Sequence, residues 1–422
     1  MAPTTASGAG QPIVADVAVV GAGPAGAAAA IELVRAGRDV VVVDKATFPR
    51  DKICGDGLTT GALRILESLG LEPDRIPSWQ PVDDVVVVSP SGREVTFPLP
   101  RGDGHHAVVA RRTELDHALV QRAVEVGATV LEGCAVVAAE ERADRVVLGL
   151  ADGRAVQARY AVGADGMWSP LRKLLGVATE GYRGEWHAFR QYFTDVGPRA
   201  ARELFVWFEP DLLPGYAWSF PLPDGRANVG FGIQRGGKVA RVQDMKALWP
   251  DLLRRPHIAE VLGPDARPEA PHRAWPIPAR IDQVQLCTAR TLFVGDAAAA
   301  TDPMTGEGIG QALLTGQLAA RAIDEGGLDA AAVTERYRRL AIDALLADHR
   351  MSMLLIRALR HRKGARAAVR VAGLTDWTRR NFARWLFEDY PRAVLVTPRR
   401  WHRGMLAGPG AFADRQPPPQ AA

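Results

Sequence analysis

The run Val17-Ala18-Val19-Val20-Gly21-Ala22-Gly23-Pro24-Ala25-Gly26 joins an apolar strand to an alanine-rich helix through a Gly-x-Gly-x-x-Gly turn. Asp16 to Val20 reads as the strand and Pro24 to Ala36 as the helix, with Gly37 as its stop. Val40 to Val43 is a second strand, and its unbroken apolar run suits burial on both faces. One βαβ unit is thereby complete in about thirty residues. Gly21 allows the tight turn, Gly23 lets backbone approach a pyrophosphate, and Gly26 lets the helix pack closely on the strand. The helix N-terminus offers free N–H groups and a partial positive charge to the phosphates. Asp44, 23 residues after Gly21, closes the second strand, where a carboxylate can accept ribose hydroxyls. The spacing predicts a dinucleotide site without choosing between NAD and FAD.

Outward from this unit, Leu58–Leu69 reads as a helix, and Val82–Val88 with Arg93–Phe97 as an excursion of strands. Thr113–Val126 is helical again, and short strands follow as far as Tyr160–Val162. Trp186–Phe193, Arg202–Glu209, Tyr216–Phe220 and Arg226–Ile233 suggest an antiparallel sheet punctuated by turn residues. Thr291–Val294 is one more buried strand and Gly308–Ile323 a helix. From Asp329 to about Glu388 the pattern is helical and basic, and the Pro- and Gly-rich end after Gly404 reads as a disordered tail. The apolar stretch Ile13–Val34 is no membrane span, because it holds Asp16 and Glu32 and is broken by the glycine turn.

A length of 422 residues suits two or three structural units, and 47% hydrophobic residues with 24% charged ones excludes a disordered chain. Met1 to Pro12 lacks a basic region followed by an apolar core, so no secretory signal is expected. Cys54, Cys134 and Cys287 are far apart and form no CxxC pair, which points to the reducing cytoplasm. Cys134 and Cys287 read as buried small hydrophobes. His105 and His106 are adjacent, point opposite ways in an extended segment, and make a poor metal pair. No metal is expected.

Charge is distributed unevenly. Residues 350–404 carry thirteen Arg and one Lys against Asp376, Glu388 and Asp389, a net of +11 in a chain whose total is +4. Such a block interleaved with apolar residues can in general face nucleic acid, an anionic membrane or an anionic substrate, or be a solvated helical face. Nucleic acid is not among the partners expected.

Two distant motifs separate the cofactors. Val162-Gly163-Ala164-Asp165-Gly166, followed by Ser169-Pro170-Leu171-Arg172, resembles the Asp-Gly motif of the p-hydroxybenzoate-hydroxylase-like flavoprotein superfamily. Thr291-Leu292-Phe293-Val294-Gly295-Asp296-Ala297-Ala298 resembles its Gly-Asp motif. The resemblance implies FAD, with Asp296 bonding the ribityl chain as a fixed acceptor for polyol hydroxyls. Pro303-Met304-Thr305-Gly306-Glu307-Gly308-Ile309 then opens the next helix, whose N-terminus is implied to lie at the pyrimidine edge of the flavin. Glu307 reads there as a cap or as an acid or base.

Two further segments resemble the geranylgeranyl reductase-like family. Phe48-Pro49-Arg50-Asp51-Lys52-Ile53-Cys54-Gly55-Asp56-Gly57 is similar to its Phe-Pro-Arg…Lys-x-Cys-Gly-x-Gly signature. Leu213-Pro214-Gly215-Tyr216-Ala217-Trp218-Ser219-Phe220-Pro221 is similar to its Pro-x-x-Tyr-x-Trp-x-Phe-Pro signature, with Pro214 one position nearer the Tyr. Arg112, with Leu115, Asp116 and Leu119, fits a family helix whose Arg contacts FAD. The resemblance implies reduction of carbon–carbon double bonds in prenyl chains, with Tyr216, Trp218 and Cys54 at the reacting end. The implied FAD contacts are Gly21, Gly23, Pro24, Ala25, Gly26, Asp44, Lys45, Arg50, Cys54, Gly55, Gly57, Arg112, Val136, Asp165, Gly166, Gly295, Asp296, Pro303, Gly306, Gly308 and Ile309. Tyr216, Trp218 and Phe220 share one face of a strand, so they form either an apolar wall for the substrate or part of the sheet core.

The fold expected is α/β, α+β overall: a Rossmann-type FAD-binding domain with an inserted antiparallel β-sheet substrate domain and C-terminal helices. Residues 1–80, 105–180 and 286–328 form the first, 81–104 and 181–285 the second, 329–404 the basic helices and 405–422 the tail. A flavin-dependent monooxygenase is the alternative, and a halogenase would carry a Trp-x-Trp-x-Ile-Pro segment that does not occur here. With only one Gly-x-Gly-x-x-Gly unit, NADPH or reduced ferredoxin is expected to dock transiently as electron donor. Peripheral contact with a membrane is expected through the basic C-terminal helices.

Overall fold

A computed structural model of the chain describes residues 11–237 and 241–413. Its first sheet sets the strands Thr129–Leu131, Val40–Val43, Ile13–Val20, Ala155–Gly163 and Thr291–Phe293 side by side and parallel. Ala155–Gly163 is long enough to serve two partners on one edge. Its first residues pair antiparallel with Val146–Leu150, and its last three pair parallel with Thr291–Phe293. Three strands from distant parts of the sequence therefore end together. Ala164 N–H donates to the Val20 carbonyl at 2.8 Å and Val294 N–H to the Gly163 carbonyl at 3.0 Å. Crevices beyond the carboxyl ends of such strands are where open α/β sheets bind ligands.

The helix Pro24–Arg35 turns a wholly buried run, Ala27 to Ala30, onto this sheet, and the helix Ile309–Gly326 packs directly against that helix, with Gly316 close on the Ala25 carbonyl. Gly21 sits at φ +101°, and a Cβ there would meet the Ala164 carbonyl oxygen at 2.3 Å. No other residue type makes that turn without displacing the neighbouring strand end.

The second sheet runs in the order Arg267–Pro268, Trp186–Thr194, Arg226–Gln234, Tyr216–Leu222, Leu204–Trp207, Asp84–Val88, Glu94–Pro98, with Arg273–Ile277 also on Trp186–Thr194. One pairing departs from the expected antiparallel pattern. Leu204–Trp207 lies parallel to Asp84–Val88, because that strand arrives from the separate hairpin of residues 84–98. Phe205, Trp207, Val229 and Phe231 form one face, covered by the helices Met245–Arg254 and Pro256–Leu262. The opposite face carries Val87, Val206, Trp218 and Phe220 toward the first sheet.

The C-terminal region forms three helices, Ala330–Leu359, Arg362–Ala372 and Asp376–Leu386. Val369, Ala372, Ala383 and Phe387 turn inward against Val85, Val95 and Phe97 of the second sheet. The expected disordered tail is corrected over residues 405–413. Ala411 bridges to His105, and the buried Phe412 stands edge-on to Trp79 at 5.6 Å. Apolar burial and backbone pairing hold this stretch although it is rich in Gly and Pro; residues 414–422 lie outside the described residues. Among the described residues, no helix is long and apolar enough to cross a membrane.

Candidate active site

The strand ends and the second sheet enclose one continuous cavity of about 670 Å³. Lining it from the first sheet are Gly21, Gly23, Pro24, Ala25, Asp44, Lys45 and Val136, then Asp165, Gly166, Gly295 and Asp296. Arg50, Cys54, Gly55, Gly57 and Arg112 line its middle, with Pro303, Gly306, Gly308 and Ile309 beyond them. Tyr216 and Trp218 stand on the far wall. Gly26 is the exception among the candidates: it does not reach the cavity, and a Cβ on it would lie 1.8 Å from the Gly21 carbonyl oxygen.

Local hydrogen bonding sets each polar group. Asp44 receives the Ala22 N–H at 2.7 Å and the Ala46 N–H at 2.8 Å, which fixes its carboxylate at the end of its strand. Asp165 is committed to the backbone turn, receiving the Ser169 hydroxyl at 2.6 Å and the Leu171 N–H at 2.8 Å. Arg112 grips the fully buried Asp116 through two bonds of 2.7 and 2.8 Å, and Arg50 adds a third at 2.8 Å. Asp296 keeps a partly exposed carboxylate with the Lys52 ammonium 3.8 Å away.

The aromatic row is held from behind. Trp218 Nε1–H donates to Asn228 at 3.1 Å, and the Asn228 amide donates to the Cys54 carbonyl at 2.9 Å and to Asp56 at 2.8 Å. Tyr192 O–H donates to the same Asp56 oxygen at 2.6 Å, while the second Asp56 oxygen has no partner. Gly230 lies opposite Trp218, and a Cβ there would meet the Trp218 ring at 2.4 Å, so the missing side chain lets the indole lie over the strand. Tyr216 O–H donates to the Thr305 carbonyl and ties this wall to the turn before the helix Ile309–Gly326.

Burial shifts several of these groups. It raises Asp56 to about 6 against the pull of Arg190 and of its two hydrogen bonds. It lowers Lys52 to about 8, although Asp296 favours the charged form, and Lys52 lies 3.9 Å over the Trp275 ring. Burial also raises Cys54 and Tyr216, so both keep their protons at neutral pH. Glu307 accepts the Gly310 N–H at 2.5 Å, which is capping geometry, and burial beside Glu388 raises it.

The profile of the family described as FAD binding domain matches residues 14–314. Menaquinone reductase of Mycobacterium tuberculosis is 38% identical over 335 residues, covering 74% of this chain and 76% of that protein. Digeranylgeranylglycerophospholipid reductase 1 of Methanopyrus kandleri is 33% identical over 324 residues, covering 72% and 79%. The chain belongs to the geranylgeranyl reductase-like family of FAD-dependent oxidoreductases. A geranylgeranyl bacteriochlorophyll reductase-like protein from Thermoplasma acidophilum shares its fold, with a TM-score of 0.77 at 21% identity over 93% of this chain and all of that one.

The cavity of this family member suits an elongated dinucleotide. The helix Pro24–Arg35 begins without a side-chain cap, leaving N–H donors for an anion midway along the cavity. Fixed or partly free carboxylates, Asp44 and Asp296, stand on either side of it as acceptors for sugar and polyol hydroxyls. The helix Ile309–Gly326 also begins at the cavity, its Gly310 N–H already capped by Glu307, and its dipole presents a second positive end there.

Sequence reasoning missed the groups behind the wall. Tyr192, Asn228 and Arg190 carry no local signature, since only strand pairing brings them beside Asp56. Phe382, Trp385 and Leu386 line the cavity from the C-terminal helices, where a run of Arg masked the apolar face. Cys134 is buried, whereas Cys287 is only partly so, with its thiol 3.5 Å from the Thr334 carbonyl. His106 is buried 3.7 Å from Asp389, and His105 lies on the bridge to Ala411. No group of three metal-ligating side chains occurs among the described residues.

Proposed function

We propose that this chain saturates carbon–carbon double bonds in the prenyl chain of an apolar substrate, quinone or lipid in kind. The observation that carries the reading is the continuity of the dinucleotide crevice with a wall of Tyr216, Trp218, Phe220, Val206 and Val87. The named relatives support it, as reductases of a quinone and of a digeranylgeranylglycerophospholipid.

FAD, when bound and reduced, supplies hydride. Asp44 would hold its adenosine ribose, the start of the helix Pro24–Arg35 its pyrophosphate, and Asp296 its ribityl chain. Gly306, Gly308 and Ile309 would meet its pyrimidine edge. Tyr216, Trp218 and Phe220 exclude water and align the alkene, which converts binding into proximity. Tyr216 positions this wall through Thr305. The Cys54 thiol, kept protonated by burial, holds the proton that the second alkene carbon requires. NADPH or reduced ferredoxin would restore the reduced state by transient docking.

The test is anaerobic. The flavoprotein is reduced with dithionite, candidate prenyl alkenes are added, and flavin absorbance and product mass are followed. Reoxidation with a saturated product is expected. Reoxidation by dioxygen alone, with a hydroxylated product, overturns the reading in favour of a monooxygenase.

A further inference from the structure

The outward side of the C-terminal helices has its own composition. Residues 354–380 present Arg357, Arg360, Arg362, Lys363, Arg366, Arg370, Arg379 and Arg380 against the single carboxylate Asp376. Among the described residues the one ion pair in this set is Arg379 with Asp376, at 3.7 Å. Arg384 and Arg392 do not belong to this face. They are buried on Asp389, and on Asp302 and Glu388, respectively.

The same face exposes large apolar side chains. Leu354 is 58% exposed, Val371 60%, Leu374 61% and Trp377 62%. Scattered single hydrophobes on a surface need no explanation, but here four lie within one cation-rich stretch. The cavity comes out at this place. Ala358 and Ala368 both line it and are both exposed, so its apolar end opens between the helices Ala330–Leu359 and Arg362–Ala372.

We propose that the face of residues 354–380 docks on an anionic bilayer, with Val371, Leu374 and Trp377 entering the interface and the cavity opening toward the lipid. Uncompensated cations attract an anionic surface, and a neighbouring aliphatic and indole cluster gains by leaving water, which is the composition of an interfacial anchor. An acidic protein would satisfy the arginines but leave the apolar cluster without a counterpart. The docking stands on charge and exposure alone. That a prenyl chain enters by this opening rests on the reductase reading above.

Flotation of the full flavoprotein with vesicles tests the docking without any turnover. Vesicles of equal parts phosphatidylglycerol and phosphatidylcholine are expected to carry the protein, and those of phosphatidylcholine alone to leave it behind. Replacing Arg366, Arg370 and Arg380 together by Gln should weaken binding about a hundredfold, at about fivefold per cation. The pair Leu374→Ser and Trp377→Ser should weaken it by at least about tenfold. All five positions are exposed, so FAD content should stay that of the parent in both variants. The proposal is overturned by equal binding to both vesicle types, by binding to neither, or by parental affinity in either variant. Saturable binding of an acidic ferredoxin-type protein, with no flotation, also overturns it. Turnover of a detergent-dispersed prenyl alkene, measured separately, reports on the reductase reading and leaves the flotation result untouched.

Discussion

Asp56→Asn is the substitution whose effect can be worked furthest from the structure. Asp56 is fully buried at φ +65°, a conformation that Asn tolerates, and it accepts from Tyr192 and Asn228 through one oxygen. Asn can keep both of those bonds through its carbonyl. Burial raises the folded-state carboxyl from 3.8 to about 6, opposed by Arg190, by those hydrogen bonds and by Arg112. A group raised on folding contributes stability that is fully present below its unfolded value and lost as pH rises through its folded value. Asp56 therefore lowers the stability of the protein progressively between pH 3.8 and about 6, by about 3 kcal/mol in total. Asn does not titrate, so the variant lacks that component. Urea unfolding of the FAD-saturated proteins at several pH values reads the difference. The variant should gain on the parent through that window, with the gain level above it. Stability curves that run parallel from acid to neutral pH would falsify the assignment of a buried, raised carboxyl.

Three other substitutions probe separate parts of the account. Gly230→Ala places a methyl 2.3 Å from the Phe189 carbonyl oxygen and 2.4 Å from the Trp218 ring. It should cost about 1–3 kcal/mol and change the near-ultraviolet dichroism of the indole while FAD binding persists; an unchanged spectrum counts against the packing described. Arg384→Gln removes a buried partner of Asp389, leaving Arg64 at 2.5 Å, and should destabilise by about 3 kcal/mol. Because Arg384 also donates to the Leu406 and Gly408 carbonyls, cleavage within residues 405–413 should quicken in limited proteolysis. Asp296→Ala should deplete FAD in the purified chain, and normal flavin content would refute its proposed role at the ribityl group.

Legibility followed the range of the interactions. The first βαβ unit could be read because its turn, helix and second strand are consecutive and each meets a local steric demand. The motifs ending in Asp165 and Asp296 were readable as strand ends, and the pairing of Ala155–Gly163 with Thr291–Phe293 is what makes them neighbours. The expected helix at Leu58 starts instead at Thr60, because Gly57–Thr59 pairs with Ala107–Val109. That is a tertiary contact no local propensity encodes. Asn228 offered no sign of its three hydrogen bonds, since it faces the Cys54–Asp56 loop only after the second sheet has formed. In the C-terminal helices the arginines dominated the pattern, and inward residues such as Val369, Ala372, Ala383 and Phe387 are interleaved with them, which hid the core face.

Titration of flavin-stripped protein with FAD, followed by the flavin spectrum, tests the central claim most directly. Three strand ends meeting at one crevice predict saturable uptake of one FAD per chain and a lasting yellow complex. A chain that stays colourless in excess flavin contradicts the account.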